Sequence, residues 1–302
     1  MEYRQPNEPI LPEELERKIF VLASRRGSDT AYTLIQVAKR VQTWIEPLLY
    51  QVFLINVGLS NESEIKSSPF LPRFEKVNDA KGADLDGLQR QAKFVRHFMY
   101  TGDNVQYIAR MLSLCTSITD LALWWRRWGP ETKQTKLLVD FISNLQLEKL
   151  SIRATLPLGY PECFSVDKPL AQSLTHFDLF GIDGSYWNNG WRLLLKFPLL
   201  THLAVAGRNI VLMIEGVLNE MDSVQLLIDA TGQLYYDAYA STLVSPPTRW
   251  YAEDPRFVSF EYPRPTAGWL KGTIGGDDLW AAGYEKQQRK RNKLSKSREI
   301  IS

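Results

Sequence analysis

Leu147-Glu148-Lys149-Leu150-Ser151-Ile152, Leu174-Thr175-His176-Phe177-Asp178-Leu179 and Leu200-Thr201-His202-Leu203-Ala204-Val205 are three copies of one pattern, apolar-x-x-apolar-x-apolar. Apolar residues two apart at the end of each copy put both side chains on one face of an extended strand. Working outward, the pattern recurs as Val95/Phe98/Tyr100 and Ile118/Leu121/Leu123. Two degenerate copies follow, Leu226/Ile228 with Ser223 in the leading slot, and Phe257/Phe260/Tyr262. The starts at 95, 118, 147, 174, 200, 223 and 257 are 23, 29, 27, 26, 23 and 34 residues apart.

Helical stripes lie between the strand patterns. Val105/Ile108/Ala109/Leu112, Leu137/Leu138/Phe141/Ile142/Leu145 and Ile210/Val211/Ile214/Val217/Leu218 each place apolar side chains on one helical face. A unit with one apolar strand and one apolar helix face cannot bury both alone, whereas stacked neighbours bury both. The spacing falls mostly in the range of leucine-rich repeats. The fold class read from this is α/β: an irregular leucine-rich-repeat-like solenoid over residues 93–276, preceded by a small three-helix N-terminal module. An ordinary α/β domain with parallel strands is the alternative.

The N-terminal module is read over residues 8–56. Leu11-Pro12 precedes Glu13 and Glu14, which puts proline in a first turn that needs no amide donor and acids near the positive end of the helix dipole. Leu15, Ile19, Leu22 and Ala23 form a single stripe, expected to be that helix's buried face. Arg25-Arg26-Gly27-Ser28 breaks the helix, Asp29 is the expected N-cap of the next, and Leu34 to Leu49 continue at helical spacing with a kink or restart at Pro47. Residues 57–92 are poor in apolar periodicity, contain Pro69 and Pro72, and read as a linker or long loop. Residues 277–302 read as a C-terminal helix capped by Asp277 with a basic tail, Lys286, Arg289, Lys290, Arg291, Lys293, Lys296 and Arg298. Such a tail reads either as a solvated helix end or as a nuclear-localisation or nucleic-acid patch.

Leu11-Pro12-x-Glu14-Leu15, Ile19-Phe20, and Leu34-x-x-Val37-Ala38-Lys39-Arg40-x-x-x-Trp44-Ile45-x-Pro47-Leu48-Leu49-Tyr50 resemble the F-box family, more narrowly its divergent members in mushroom-forming fungi. The resemblance covers about 45 residues. It implies that the first domain binds the Skp-type adaptor of a cullin-RING ubiquitin ligase and that the repeat domain holds the protein to be ubiquitylated. It maps the adaptor surface onto Leu11, Pro12, Leu15, Ile19 and Phe20. The sequence departs from the family pattern in the Arg25–Asp29 turn and at Glu46-Pro47.

For target binding, the Trp124-Trp125-Arg126-Arg127-Trp128 cluster is the first candidate, because tryptophan and arginine are the side chains that most often anchor interfaces. Arg153, His176, Asp178 and Phe180, expected to face outward on the concave surface, are the second. His97, His176 and His202 each sit two residues after a repeat start. Adjacent strands would bring His176 and His202 close enough to share a metal, but Asp120, Lys149, Gln225 and Ser259 fill the same slot elsewhere. A solvent-facing position that accepts any polar residue is the simpler reading, and no metal or cofactor is expected.

No H-E-x-x-H, G-x-S-x-G, paired C-x-x-C or P-loop motif occurs, so no enzymatic activity is expected. Gly272-x-x-Gly275-Gly276 reads as a turn, since Asp277 and Asp278 would repel an anion. Cys115 and Cys163 lack partnered spacing and are expected to be reduced and buried. A net charge of +2 does not mark a nucleic-acid binder. No stretch approaches a membrane span, and residues 1–12 hold no apolar leader core. The expected compartment is cytosol or nucleus.

Overall fold

A computed structural model describes residues 11–55, 90–102, 104–124, 133–183, 187, 189–231, 251, 253–262, 265–273 and 275–301. Of the sequence-predicted features, most of the 57–92 linker and the residues Trp125, Arg126, Arg127 and Trp128 lie outside the described residues. The chain divides into two compact units, Met1–Phe98 with Leu114–Ser117, and Met99–Ser113 with Ile118–Ser302.

In the first unit, α1 (Glu13–Ser24), α2 (Ser28–Leu34) and α3 (Lys39–Leu49) pack around Ala31, Val41, Ile45 and Leu49. The chain breaks at Ile35–Ala38 rather than at Pro47, which lies inside α3. A proline this near a helix end removes one amide donor without interrupting many turns. Asp29 is not the N-cap of α2: Gly27 holds that position with no side-chain cap, and Asp29 sits in the first turn. Val52–Ile55, expected as part of the helical unit, is strand β1. Its run Val-Phe-Leu-Ile is short, apolar and β-branched at both ends, which favours a buried strand.

The remaining strands are β2 (His97–Tyr100), β3 (Asp120–Leu123), β4 (Lys149–Arg153), β5 (His176–Asp183), β6 (His202–Arg208), β7 (Leu226–Asp229) and β8 (Phe257–Ser259). The eight strands form one parallel sheet in chain order. The connections carry α4 (Val105–Leu114), α5 (Lys133–Ser143), α6 (Thr155–Gly159), α7 (Pro169–Ser173) and α8 (Val211–Glu220), and 3-10 segments Pro161–Phe164 and Gly190–Lys196. Then come α9 (Pro265–Thr273) and α10 (Leu279–Ile301). The helical stripes predicted after residues 105, 137 and 210 are α4, α5 and α8.

The quoted pattern sets the register. Leu121, Leu150, Phe177, Leu203, Leu227 and Phe257 stand in one row across β3–β8. Leu123, Ile152, Leu179 and Val205 stand in the next, and the members of both rows are buried. Phe177 meets Phe197 at 5.6 Å between ring centroids, so this face carries the apolar core beneath the connecting segments. Strands β4 to β7 also enter the sheet in the same way. Two successive amides donate to one carbonyl of the preceding copy: residues 148 and 149 to Thr119, 175 and 176 to Glu148, 201 and 202 to Thr175, and 225 and 226 to Thr201.

The last two copies are displaced from their sequence reading. Leu203 pairs with Leu227, not Leu226, and Leu227 with Phe257, so these copies begin at Val224 and Asp254. Asp229 and Ser259 then stand in the slot that Val205 fills in β6, and two polar residues at an apolar position hid the true register.

At the β5–β6 pair an extra residue, Gly181, is accommodated with φ +65°, a conformation that suits a residue without Cβ. Beside it a Cβ on Gly207 would lie 2.2 Å from the carbonyl oxygen of Ile182. Because that neighbour is backbone, Gly207→Ala is expected to cost about 1–3 kcal/mol, the usual range for overpacking. Denaturant titration against wild type measures it.

Candidate functional site

Two surfaces carry the residues singled out from the sequence, one in each unit. On α1 the expected buried stripe faces outward. Leu11 is 41%, Leu15 47%, Ile19 52% and Leu22 63% exposed, and Pro12 is exposed beside them. The helix instead turns Phe20, Ala23 and Ser24 inward, with Phe20 set against Trp44 at 6.4 Å. On the inward side Glu16 accepts hydrogen bonds from the Arg40 guanidinium, at 2.8 Å from Nη2, which ties α1 to α3. With Phe20 and Ser24 packed inward, Leu15 and Ile19 are left outside. Of the five adaptor-surface residues, four are therefore exposed together, and Phe20 belongs partly to the helical core.

In the second unit, the sheet face opposite the apolar rows carries Asp120, Lys149, His176, His202 and Leu226 in one register row. This row was expected to be open to solvent, but α9 and α10 lie over it. The Trp269 indole donates to Asp120 Oδ1 at 3.0 Å. Lys149 pairs with Asp278 at 3.6 Å. Trp280 sets its edge against His176 and His202 at 5.0 and 5.9 Å between centroids. Leu279 packs with Ala204, Leu226, Ile228 and Val258, and a Cβ on Gly283 would meet Ile228 at 2.6 Å. Farther along α10, Gln287 donates to the Gln225 carbonyl and Lys290 to the carbonyls of Asp254 and Phe257. The cap of α10 is Asp278 rather than Asp277, with the Ala281 amide donating to its Oδ1 at 2.9 Å. Gly275, at φ +81°, and Gly276 close the end of α9, their amides donating to the carbonyls of Gly272 and Lys271.

His176 and His202 stack with centroids 4.0 Å apart and planes 10° from parallel. Thr175 and Thr201 hydroxyls hydrogen-bond to their Nδ1 atoms, and the Tyr284 hydroxyl to Nε2 of His202. Burial, then the neighbouring His202 and Lys149, bring the His176 imidazole down to about 3. Burial and Lys149, opposed by Asp278, bring His202 down to about 4. Both rings are neutral at neutral pH and act as packing pieces. Among the described residues no three His, Cys, Asp or Glu side chains converge as a metal site. Cys115 and Cys163 are free and buried, and burial pushes both thiols up to about 12.

The next row is Ala122, Ser151, Asp178, Ala204 and Ile228. Here the Trp124 indole donates to Ser151 Oγ at 2.7 Å, and the Ser151 hydroxyl donates to Asp178 Oδ2 at 2.6 Å. Loss of hydration pushes the Asp178 carboxyl up to about 6, against the opposing hydrogen bond from Ser151. In the following row Arg153 pairs in register with Phe180, which meets Trp124 edge-on at 6.3 Å. Arg153 Nε is sealed from solvent with no hydrogen-bond partner among the described residues, and so is the hydroxyl of Tyr262. Of the second-choice target residues, Asp178, Phe180 and Arg153 thus gather with Trp124, while His176 lies apart under Trp280. Sequence reasoning missed Tyr262 as a neighbour of Asp178 because its copy was read three positions out of register.

No protein-family model matches the chain, and a search of the curated proteins finds none that matches it. No described helix is long and apolar enough to cross a membrane.

Proposed function

We propose that the chain is an F-box-like substrate receptor of a Skp-cullin ubiquitin ligase. In this reading α1–α3 are a three-helix docking module for the Skp-type adaptor, and the strands and helices that follow are a leucine-rich-repeat-like solenoid that holds a target protein. The protein does no chemistry of its own and works by raising the effective concentration of the target beside a conjugating enzyme. The observation that carries the reading is the outward stripe Leu11, Leu15, Ile19 and Leu22. Large apolar side chains in a row at helical spacing, left half in water, favour a partner, since fully burying each contributes about 1.5–3 kcal/mol. They coincide with four of the five positions that the resemblance assigns to the adaptor surface, Leu11, Pro12, Leu15 and Ile19.

The test is recovery of the Skp-type adaptor and cullin from a fungal extract with tagged wild type and with Leu15→Asp/Ile19→Asp. Both positions lie outside the cluster Ala31, Val41, Ile45 and Leu49, so the variant is expected to melt like wild type while losing the adaptor. A folded wild type that recovers no adaptor would leave a repeat-domain interaction protein without a ligase link.

A further inference from the structure

We propose that the recess around Asp178, walled by Trp124 and Phe180, binds the side-chain ammonium of a lysine in the target protein. This rests on the reading of the second unit as the part that selects a target.

The recess begins with side-chain size. Asp178 stands between Ser151 and Ala204 in register, with Ala122 beyond Ser151, so the floor beside the carboxylate is made of small residues. The rows on either side carry larger residues, Lys149–His176–His202 on one side and Arg153–Phe180 on the other. Asp178 stays only half-buried despite its position on the sheet. Trp124 is tied to the floor through Ser151, and its ring meets Phe180 nearly perpendicularly, at 75°. Tyr262, edge-on to Phe260 at 6.3 Å, packs on the cluster that holds Ala204 and Ile228 of the same row.

The charge in the recess is negative and under-used. Among the described residues, Ser151 supplies the one hydrogen bond to Asp178. The Tyr262 hydroxyl is sealed with no partner, and its phenol is pushed upward by burial and by the charges of Asp278 and Asp178. Asp278 is matched by Lys149, but no cation pairs with Asp178 among the described residues. A half-buried carboxylate short of hydrogen bonds gains most from a donor that also carries positive charge. An ammonium brings three donors for the free lone pairs of Asp178, while the Tyr262 hydroxyl, closed off against Gly268, stays out of reach. The faces of Trp124 and Phe180 add cation–π attraction and cover the methylene stem. A neutral amide or hydroxyl would leave the carboxylate charge unmatched, and an anion would be repelled.

The experiment titrates the full chain with Nα-acetyl-lysine N-methylamide and follows the indole N–H resonance of Trp124, assigned by its loss in Trp124→Phe. A saturable shift is expected with the lysine probe, with binding weakened roughly tenfold or more in Asp178→Asn, the scale of one lost charge-assisted hydrogen bond. The uncharged Nα-acetyl-norleucine N-methylamide is expected to leave the resonance in place. Asp178→Asn keeps the acceptor for Ser151, and its melting curve reports whether it is folded. Equal shifts from both probes, or equal lysine binding by a folded Asp178→Asn, would overturn the assignment. No ligase component is present in this titration, so it can fail while adaptor recovery succeeds, and the reverse.

Discussion

Phe177→Ala is expected to destabilise the second unit by about 3–5 kcal/mol, the cost of emptying a large aromatic site in a close-packed core. Phe177 is fully buried, stands between Leu150 and Leu203 in the central row, and packs on Phe197, which in turn meets Phe164. Its loss therefore opens the junction between the sheet and two connecting segments at once. Total stabilities of about 5–15 kcal/mol leave little after such a loss. A melting temperature lowered by roughly 10 °C or more is expected, at about 2–4 °C per kcal/mol for a unit of this size. Leu195→Ala, at a position 46% exposed, is the control and should barely move it. A similar small shift in both would mean that the row through Phe177 does not hold the sheet together.

Asp178→Asn should act in the opposite direction and depend on pH. The folded carboxyl sits near 6, above its ordinary value, so folding takes up a proton between roughly pH 4 and 6. Wild type therefore gains stability from this group as pH falls through 6 towards 4, and above 6 carries the cost of a poorly solvated charge. That cost is up to about 3 kcal/mol for a displacement of this size. Ser151 on β4 hydrogen-bonds to it, Tyr262 lies close enough for the two charges to interact, and Lys149 and Arg153 stand one row to either side on β4, while His176 on the same strand is already neutral. Asparagine removes the charge, so the variant should be the more stable protein at pH 7.5, with the difference shrinking to near zero by pH 4. Denaturant titrations of both proteins across that range measure it. A variant weaker than wild type at pH 7.5 would show that the carboxylate is stabilised by its surroundings.

The repeat copies at 118, 147, 174 and 200 were legible because each has the same two inward apolar residues, and the strands carrying them are in register with one another. The copies at β7 and β8 were not, because Asp229 and Ser259 hydrogen-bond to each other in a slot that is apolar elsewhere. A polar pair joined across neighbouring strands leaves no trace in a hydrophobic pattern. The same limit applies to α1: its stripe was legible, but its direction was not. Apolar periodicity says that a face will be covered, not by what, and here α1 packs Phe20 and Ser24 inward, which turns that face outward. The cover over His176 and His202 was likewise out of reach, since Trp280 and Tyr284 approach from a helix some 80 residues further along the chain. Trp124, Asp178 and Phe180 are each singled out by the sequence as target-binding candidates, but nothing in it brings Trp124 in one copy beside Asp178 and Phe180 two copies on.

The adaptor reading and the lysine recess concern separate units and stand or fall separately. The reading that organises the rest is that α1 keeps an apolar stripe free for another protein. Its most direct test is calorimetric titration of the purified full chain with a purified fungal Skp-type adaptor, wild type against Leu15→Asp/Ile19→Asp. Saturable one-to-one binding by wild type, weakened roughly a hundredfold or more in the double variant at unchanged melting temperature, is the expected result for two anchors at the centre of an interface. No heat of binding from folded wild type, or equal binding by the variant, would contradict it.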